Sequence, residues 1–268
     1  MEIKKREIII SVTIILLMIF VGILISSRLS NNIDEKNEIY YKSAKINSVD
    51  ELLYGMKTNL GNSLVYGDIK VVDDVYLPEL VGGYLYIEKS TERYTSHIKT
   101  VTHIDSEGLT HKTTKTYHSW DLVGSYKTMS EKITLLGVEI ASSKISFHDD
   151  KLLELNEKTV NSKYLDRIRG SYIYKYARFP DFEGNIRHSF RIIPSEIRGS
   201  IFSKLEDNSI NPVNSSQCEF YENKTNSEVI KDKESNKNIP LIIFWIIWAI
   251  LTGSIVIGFL YLDNRWID

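Results

Sequence analysis

The sequence predicts a membrane protein of the α+β class. Two transmembrane helices bracket a β-rich domain, a small barrel or sandwich with a long protruding hairpin. Three observations carry that expectation. Two long stretches without a charged residue lie near the ends of the 268-residue chain. Between them runs a polar segment whose Thr, Tyr, Ile and Val fall in runs that suit strands better than helix. The single cysteine, Cys218, rules out an internal disulfide framework, so the domain must rest on an ordinary apolar core.

The first apolar stretch, Ile8 to Ser27, reads "IIISVTIILLMIFVGILISS" and matches the thickness of a bilayer core. No small-x-small cleavage site follows, which makes 8–27 an uncleaved signal anchor rather than a removed signal peptide. Lys4, Lys5 and Arg6 precede it and place residues 1–7 in the cytoplasm by the positive-inside rule. The second stretch, 239–262, begins with Ile239-Pro240 and carries Phe244, Trp245, Trp248 and Tyr261 as interfacial aromatics. Residues 263–268 then return to the cytoplasm, giving a multi-pass cell-membrane protein with both termini in and the central domain outside. Lys231, Lys233 and Lys237 before the second stretch, against Arg265 after it, argue weakly the other way.

Neither stretch holds an ionisable residue, which argues against a transporter. Small residues do recur four apart: Gly22 and Ser26, Ala249 and Gly253, Ser254 and Gly258. Such faces let helices approach closely, within a chain or in a homo-oligomer.

Residues 28–44 read as a polar linker, 45–207 as the β-rich domain and 208–238 as a second linker holding an incidental Cys218. At the domain's start Ser48 has Glu51 three residues on, the capping-box spacing, and predicts a short helix through Gly55. Strands follow over Ser63–Val72, Gly83–Ser90 and Ser130–Ile140, and again in "GSYIYKYARF", "NIRHSFRIIP" and "GSIFSKLEDNSI". "HDDKLLELNEKTV" has patchy helical spacing and predicts a short helix. An apolar-x-Gly-polar-apolar pattern recurs at Val65–Ile69, Ile168–Tyr172 and Ile197–Ile201, where each glycine is expected to permit a bulge or tight bend.

The stretch from Arg93 to Trp120 holds His97, His103, His111 and His118, four of the six histidines. "IDSEGLT" marks a turn inside it. With Ile104 opposite Leu109 around a four-residue loop, His97 faces Thr116, His103 faces Thr110, His111 faces Thr102 and His118 faces Thr95. His97, His103 and His118 then share one face and His111 lies on the other. A zinc ion needs three or four ligands at about 2 Å, which this register does not supply. A one-residue slip would make His103 and His111 direct partners, still only two ligands. The expectation is an exposed Thr-rich ribbon without metal or cofactor.

Net charge is −2, with 33 Lys and Arg against 35 Asp and Glu, and gives no reason to expect a nucleic-acid partner. No nucleophile elbow, phosphate loop or metalloprotease helix is present. The chain therefore reads as a non-enzymatic scaffold that shows a β-rich interaction domain to a protein partner. Tyr94, His97, Val101, Tyr117, His118 and Trp120 are the candidate contact surface. Two alternatives stand beside it: a histidine-dependent metal or pH sensor, and a cell-envelope hydrolase.

"VGGYLYIEKSTERYTSHIKTVTHIDSEG" with "KTYHSWDLVGS", then "EIRGSIFSKLEDNSI" and "YLDNRWID", resemble a group of two-helix membrane proteins from Gram-positive bacteria and their phages. That group has no established activity to transfer. More distantly, the plan is similar to LUMA-type transmembrane proteins and to the membrane-flanked domain of GIDE-type mitochondrial ubiquitin ligases. Tyr66-Gly67-Asp68-Ile69, Tyr84 to Glu88 and the Arg93–Trp120 ribbon carry this likeness, with Pro180–Phe190 as a second LUMA-like segment. One cysteine cannot build the ligases' RING finger, so ligase activity does not carry over. What the resemblance implies is a scaffold or interaction role.

Overall fold

The computed structural model describes residues 5–104, 109–148, 150–176 and 181–267. Helix α1 (Lys5–Tyr41) opens the chain. It does not stop where the apolar run stops: the polar stretch 28–41, expected as a linker, adds about 21 Å of helix at 1.5 Å per residue. After β1 (Ala44–Ile46) comes the predicted short helix, α2 (Val49–Thr58), with the Ser48 side chain accepting from the Glu51 amide. The Glu51 carboxylate accepts from the Asn47 amide at 2.9 Å, one residue earlier than a capping box requires. Strand β2 (Gly61–Val71) follows, then the long pair β3 (Tyr84–Ile104) and β4 (Thr110–Met129).

Short strands come next: β5 (Lys132–Leu135), β6 (Val138–Ala141), β7 (Ile145–Ser146) and β8 (Lys151–Leu152). The helix expected over "HDDKLLELNEKTV" is therefore corrected to a strand and turns: Leu153, Leu155 and Val160 turn inward at strand-like and turn spacings instead of on one helical stripe. Then come β9 (Ile168–Arg169), β10 (Tyr172–Tyr174), β11 (Ile186–Pro194) and β12 (Glu196–Glu206). Beyond residue 207 the expected second linker is also corrected. It forms β13 (Ser209–Asn211), β14 (Cys218–Glu222) and α3 (Asn226–Asn236), with Ile210, Cys218 and Val229 wholly buried. Its apolar residues are few but all point inward, which composition alone hides. A reciprocal cap between Thr225 and Glu228 starts α3, and α4 (Ile239–Ile267) closes the chain.

The strands make two open sheets rather than a closed barrel among the described residues. The first has the order β6-β5-β2-β12-β14-β7, with β1 on β2 and β13 on β12; the second has the order β4-β3-β11-β10-β9, with β8 on β11. The chain steps from the second sheet to the first at Ser195, whose carbonyl accepts from the Val71 amide. The first sheet is buried on both faces. Val65, Ile69, Ile201 and Leu205 meet Leu52 and Met56 of α2, while Leu64 and Phe202 meet Tyr40 of α1 and Val229 of α3. That double burial is why "GSIFSKL" reads as an apolar run instead of an alternation.

Two of the three glycine repeats are partners. Gly67 lies directly opposite Gly199 across β2 and β12 with no register shift, so neither makes a bulge. A methyl at Gly199 would stand 2.3 Å from the Tyr221 carbonyl, so the glycine there serves close packing. Gly170 is different: at φ +56 it makes the tight bend between β9 and β10.

Helices α1 and α4 run antiparallel. The Arg6 guanidinium donates to both Asp263 carboxylate oxygens, at 2.9 and 2.8 Å, which brings their chain-terminal ends together. Gly22 lies against Trp248, whose indole N–H donates to the Met18 carbonyl at 2.9 Å. Both helices are long and apolar enough to cross a membrane, and their apolar side chains are largely exposed. Gly22 thus takes part in the pairing within the chain, whereas a methyl at Gly253 or Gly258 would meet nothing within 4 Å.

Candidate functional site

The β3–β4 ribbon has an anchored base and a free outer part. β11 pairs with β3 from Pro194 opposite Tyr84 to Ile186 opposite Arg93, and the last contact is Tyr94 with Gly184 and Asn185. Beyond Tyr94, β3 pairs with β4 alone as far as Ile104, ten residues or about 33 Å at 3.3 Å per residue.

The register differs from the expected one by a residue. Ile104 faces Thr110, His103 faces His111, His97 faces Tyr117 and His118 faces Ser96. The loop is longer than four residues, its positions 105–108 lying outside the described residues. This slip corrects the grouping of the histidines: His97 and His118 fall on opposite faces. The six candidate surface residues accordingly divide in two. Tyr94, His118 and Trp120 share one face; His97, Val101 and Tyr117 share the other.

On the first face the rings form a chain at the base. Tyr94 stacks on His118 at 5.5 Å and tilts against Trp120 at 5.2 Å. Trp120 meets Tyr174 edge-on at 5.5 Å. The Arg187 guanidinium lies between Trp120 and Tyr172, at 4.3 and 3.7 Å from their centres, and donates to Glu92 at 2.6 Å. These groups satisfy one another, so the cluster fixes the ribbon to the sheet.

On the second face Asp121 gathers its donors. Thr95 Oγ1 donates to it at 2.6 Å and Ser119 Oγ at 2.8 Å, while His97 Nε2 lies at 2.7 Å. The Thr95 and Ser119 hydroxyls, with His97, hold the Asp121 carboxyl below its ordinary range. His97 stacks on Tyr117 at 5.1 Å. Deeper on this face His188 accepts or donates through Nδ1 to Thr91 at 3.0 Å, and burial pushes its pKa down to about 4.

Further out, over Ile98–Thr102 and Lys112–Tyr117, the side chains are exposed. Ile98 is 73 % exposed, and Lys99 sits directly opposite Lys115. Neither lysine has an acidic partner among the described residues. Sequence reasoning missed this pair because it depends on the one-residue register. It also missed Asp121 and Arg187; for Asp121 the signal was present, a carboxylate two residues past Ser119 on the same strand face.

Chemistry elsewhere is sparse. Among the described residues no three His, Cys, Asp or Glu groups gather around a metal-sized space. Ser146 Oγ lies 2.8 Å from His148 Nε2, but Asp150 is taken by Arg191 at 2.7 Å, so these three do not form a relay. Cys218 is buried, which pushes its thiol up to about 11.

Fold and site together define a class: an α+β chain in which two long apolar helices flank a β-rich domain with a projecting two-stranded ribbon. No protein-family model, curated relative or solved structure matches the chain.

Proposed function

We propose that the chain is an integral membrane scaffold that holds the β3–β4 ribbon toward a protein partner outside the cytoplasm. The observation that carries this reading is the outer ribbon: among the described residues neither of its edges is paired with another strand beyond Tyr94, and Ile98–Thr102 and Lys112–His118 are exposed on both faces. The ribbon is polar, threonine-rich and ordered by its own ladder. Helices α1 and α4 cross the bilayer with both chain-terminal ends on one side. Lys4, Lys5 and Arg6 favour the cytoplasm for that side.

The polar ends of the helices make a stalk. Tyr40 of α1 donates to Glu219 of β14 at 2.8 Å, the Tyr221 hydroxyl donates to the same carboxylate, and Lys233 of α3 lies 4.1 Å over the Tyr40 ring. Burial opposes ionisation of Glu219, but the Tyr221 and Tyr40 hydroxyls and Lys233 outweigh it and hold the carboxyl below its usual value. The domain is thus locked to the helices, and the ribbon keeps a fixed relation to the membrane.

The test is a photoreactive residue at Ile98 in the full chain in its own membrane, with Ile87, which is wholly buried, as control. A discrete protein adduct from Ile98 alone is expected; quenching by water or lipid only at both positions overturns the reading. A cysteine at Glu107 fixes sidedness, since buried Cys218 stays silent. Labelling by an impermeant maleimide in intact cells is expected, and labelling only after lysis reverses the topology.

A further inference from the structure

We infer that the free edge of β4, between Thr110 and Trp120, accepts an added strand from an acidic, extended segment of the partner. This rests on the scaffold reading and names its contact.

The backbone sets the edge. Tyr94 directs both its amide and its carbonyl toward β11, through Asn185 and Gly184. In an antiparallel ladder the direction alternates, so Thr95, His97 and Lys99 direct theirs toward β4. Their partners Ser119, Tyr117 and Lys115 answer them. Lys112, Thr114, Thr116, His118 and Trp120 are left with amides and carbonyls aimed outward, and β4 is the last strand in its sheet. Exposed edges are normally blunted by charged side chains, lysine above all, by proline, by a bulge or by a covering element; here the guard is Lys112 and Lys115, which repel a like-charged edge and leave an acidic strand acceptable. The described part of this edge has no proline, and its irregularity lies lower, where Thr91 and Glu92 skip Val123.

Charge chooses the occupant. Lys99 and Lys115 are directly opposed, an arrangement that costs stability in the free chain. Lys112 adds a third cation on the other face. On the face of Lys99 and Lys115 the described carboxylate is Asp121, six residues along β4 from Lys115 and already held by Thr95, Ser119 and His97. The free edge therefore carries a cluster of positive charge that an added strand can balance. A strand added to β4 places one residue beside Lys115 and, three positions along on its other face, one beside Lys112. Carboxylates at those two positions complete a row with Lys99 and Lys115 on one face and pair with Lys112 on the other. A second copy of this chain is the poorer occupant, because its own edge, Thr110 to Trp120, offers lysines and histidines but no carboxylate to set against Lys112 and Lys115.

The probe is a short Thr/Val peptide with two glutamates three residues apart, added to the full chain in lipid nanodiscs. It is expected to bind and to protect the outward amides of Lys112, Thr114, Thr116 and His118 from exchange. Lys115→Glu should weaken binding by about threefold to tenfold, one attractive cross-strand pair being turned repulsive. A peptide with lysines in place of the glutamates should prefer the Lys112→Glu/Lys115→Glu protein. Thr116→Pro removes an outward amide and no ladder bond to β3, and should abolish binding with the domain still folded. Equal binding of the acidic and basic peptides, or undiminished binding by Thr116→Pro, overturns the inference. So does an edge already protected in the free protein by a dimer that Thr116→Pro dissociates, or binding to phosphatidylglycerol vesicles without amide protection. If the Ile98 adduct persists in Thr116→Pro, the scaffold reading stands and strand addition falls; if no adduct forms at all, both fall.

Discussion

The two halves of the ribbon are made from the same strands and obey different rules. At the base, side chains on both faces are spoken for: Trp120, Tyr172 and Tyr174 enclose Arg187, and Asp121 collects Thr95, Ser119 and His97. Beyond His97 the ladder continues in register with the side chains exposed, leaving like charges opposed at Lys99 and Lys115. Burial and pairing specify the base. The outer half keeps its shape through backbone hydrogen bonds, and its side chains are free to be chosen by something outside the domain.

That contrast sets an order of sensitivity in unfolding measurements on the full chain in detergent. Phe190 is wholly buried under the base, and Phe190→Ala should cost about 3–5 kcal/mol, the usual loss for an aromatic core residue. Arg187→Ala leaves Glu92, 21 % exposed, without its ion-pair partner and should cost about 2–3 kcal/mol. A loss no larger than that of an exposed lysine would show that the base is not fixed by this cluster.

Two effects depend on pH. His188 has its pKa depressed to about 4 by burial, against an unfolded value near 6.5. Its contribution is therefore complete above about 6.5 and lost as pH falls toward 4. His188→Gln should flatten the melting temperature over that interval. Asp121 is also depressed, by Thr95, Ser119 and His97, so its contribution is present above the ordinary carboxylate range and lost only in stronger acid. Asp121→Asn should reduce the acid sensitivity there and lower neutral stability by the part that acid otherwise removes.

The smallest effects fall on the outer half. Lys115→Glu turns the opposed lysines into an ion pair with Lys99 and should stabilise the free chain by about 0.2–1 kcal/mol. Joining His97 to Tyr117 through an Asn-Gly turn, with the outer residues deleted, should leave the melting temperature unchanged. A large loss in either variant would mean that the outer half is part of the folding unit.

Much of this arrangement was legible in the sequence. The apolar ends, the Ser48 cap and the strands around Gly67, Tyr84 and Ile201 announce themselves through length, spacing and residue type. Other features depend on information that no local pattern holds. Residues 28–41 continue a helix because Tyr40 docks on Leu64 and Phe202 from distant strands. Residues 208–238 look like a linker because Ile210, Cys218, Phe220 and Val229 are scattered among polar residues, although each is buried. The ribbon was foreseen, but its register was not, since a turn one residue longer exchanges the partners of every side chain above it. Lys99 and Lys115 became a pair only once that register was known.

Amide hydrogen exchange along β4 tests the central contrast most directly, measured on the full chain in nanodiscs. The account predicts slow exchange at the inward amides of Thr113, Lys115, Tyr117 and Ser119. It predicts fast exchange at the outward amides of Lys112, Thr114, Thr116 and His118 while no partner is bound. Uniformly slow exchange across both sets in the free protein would contradict it, because the outer edge would then already be part of a closed structure.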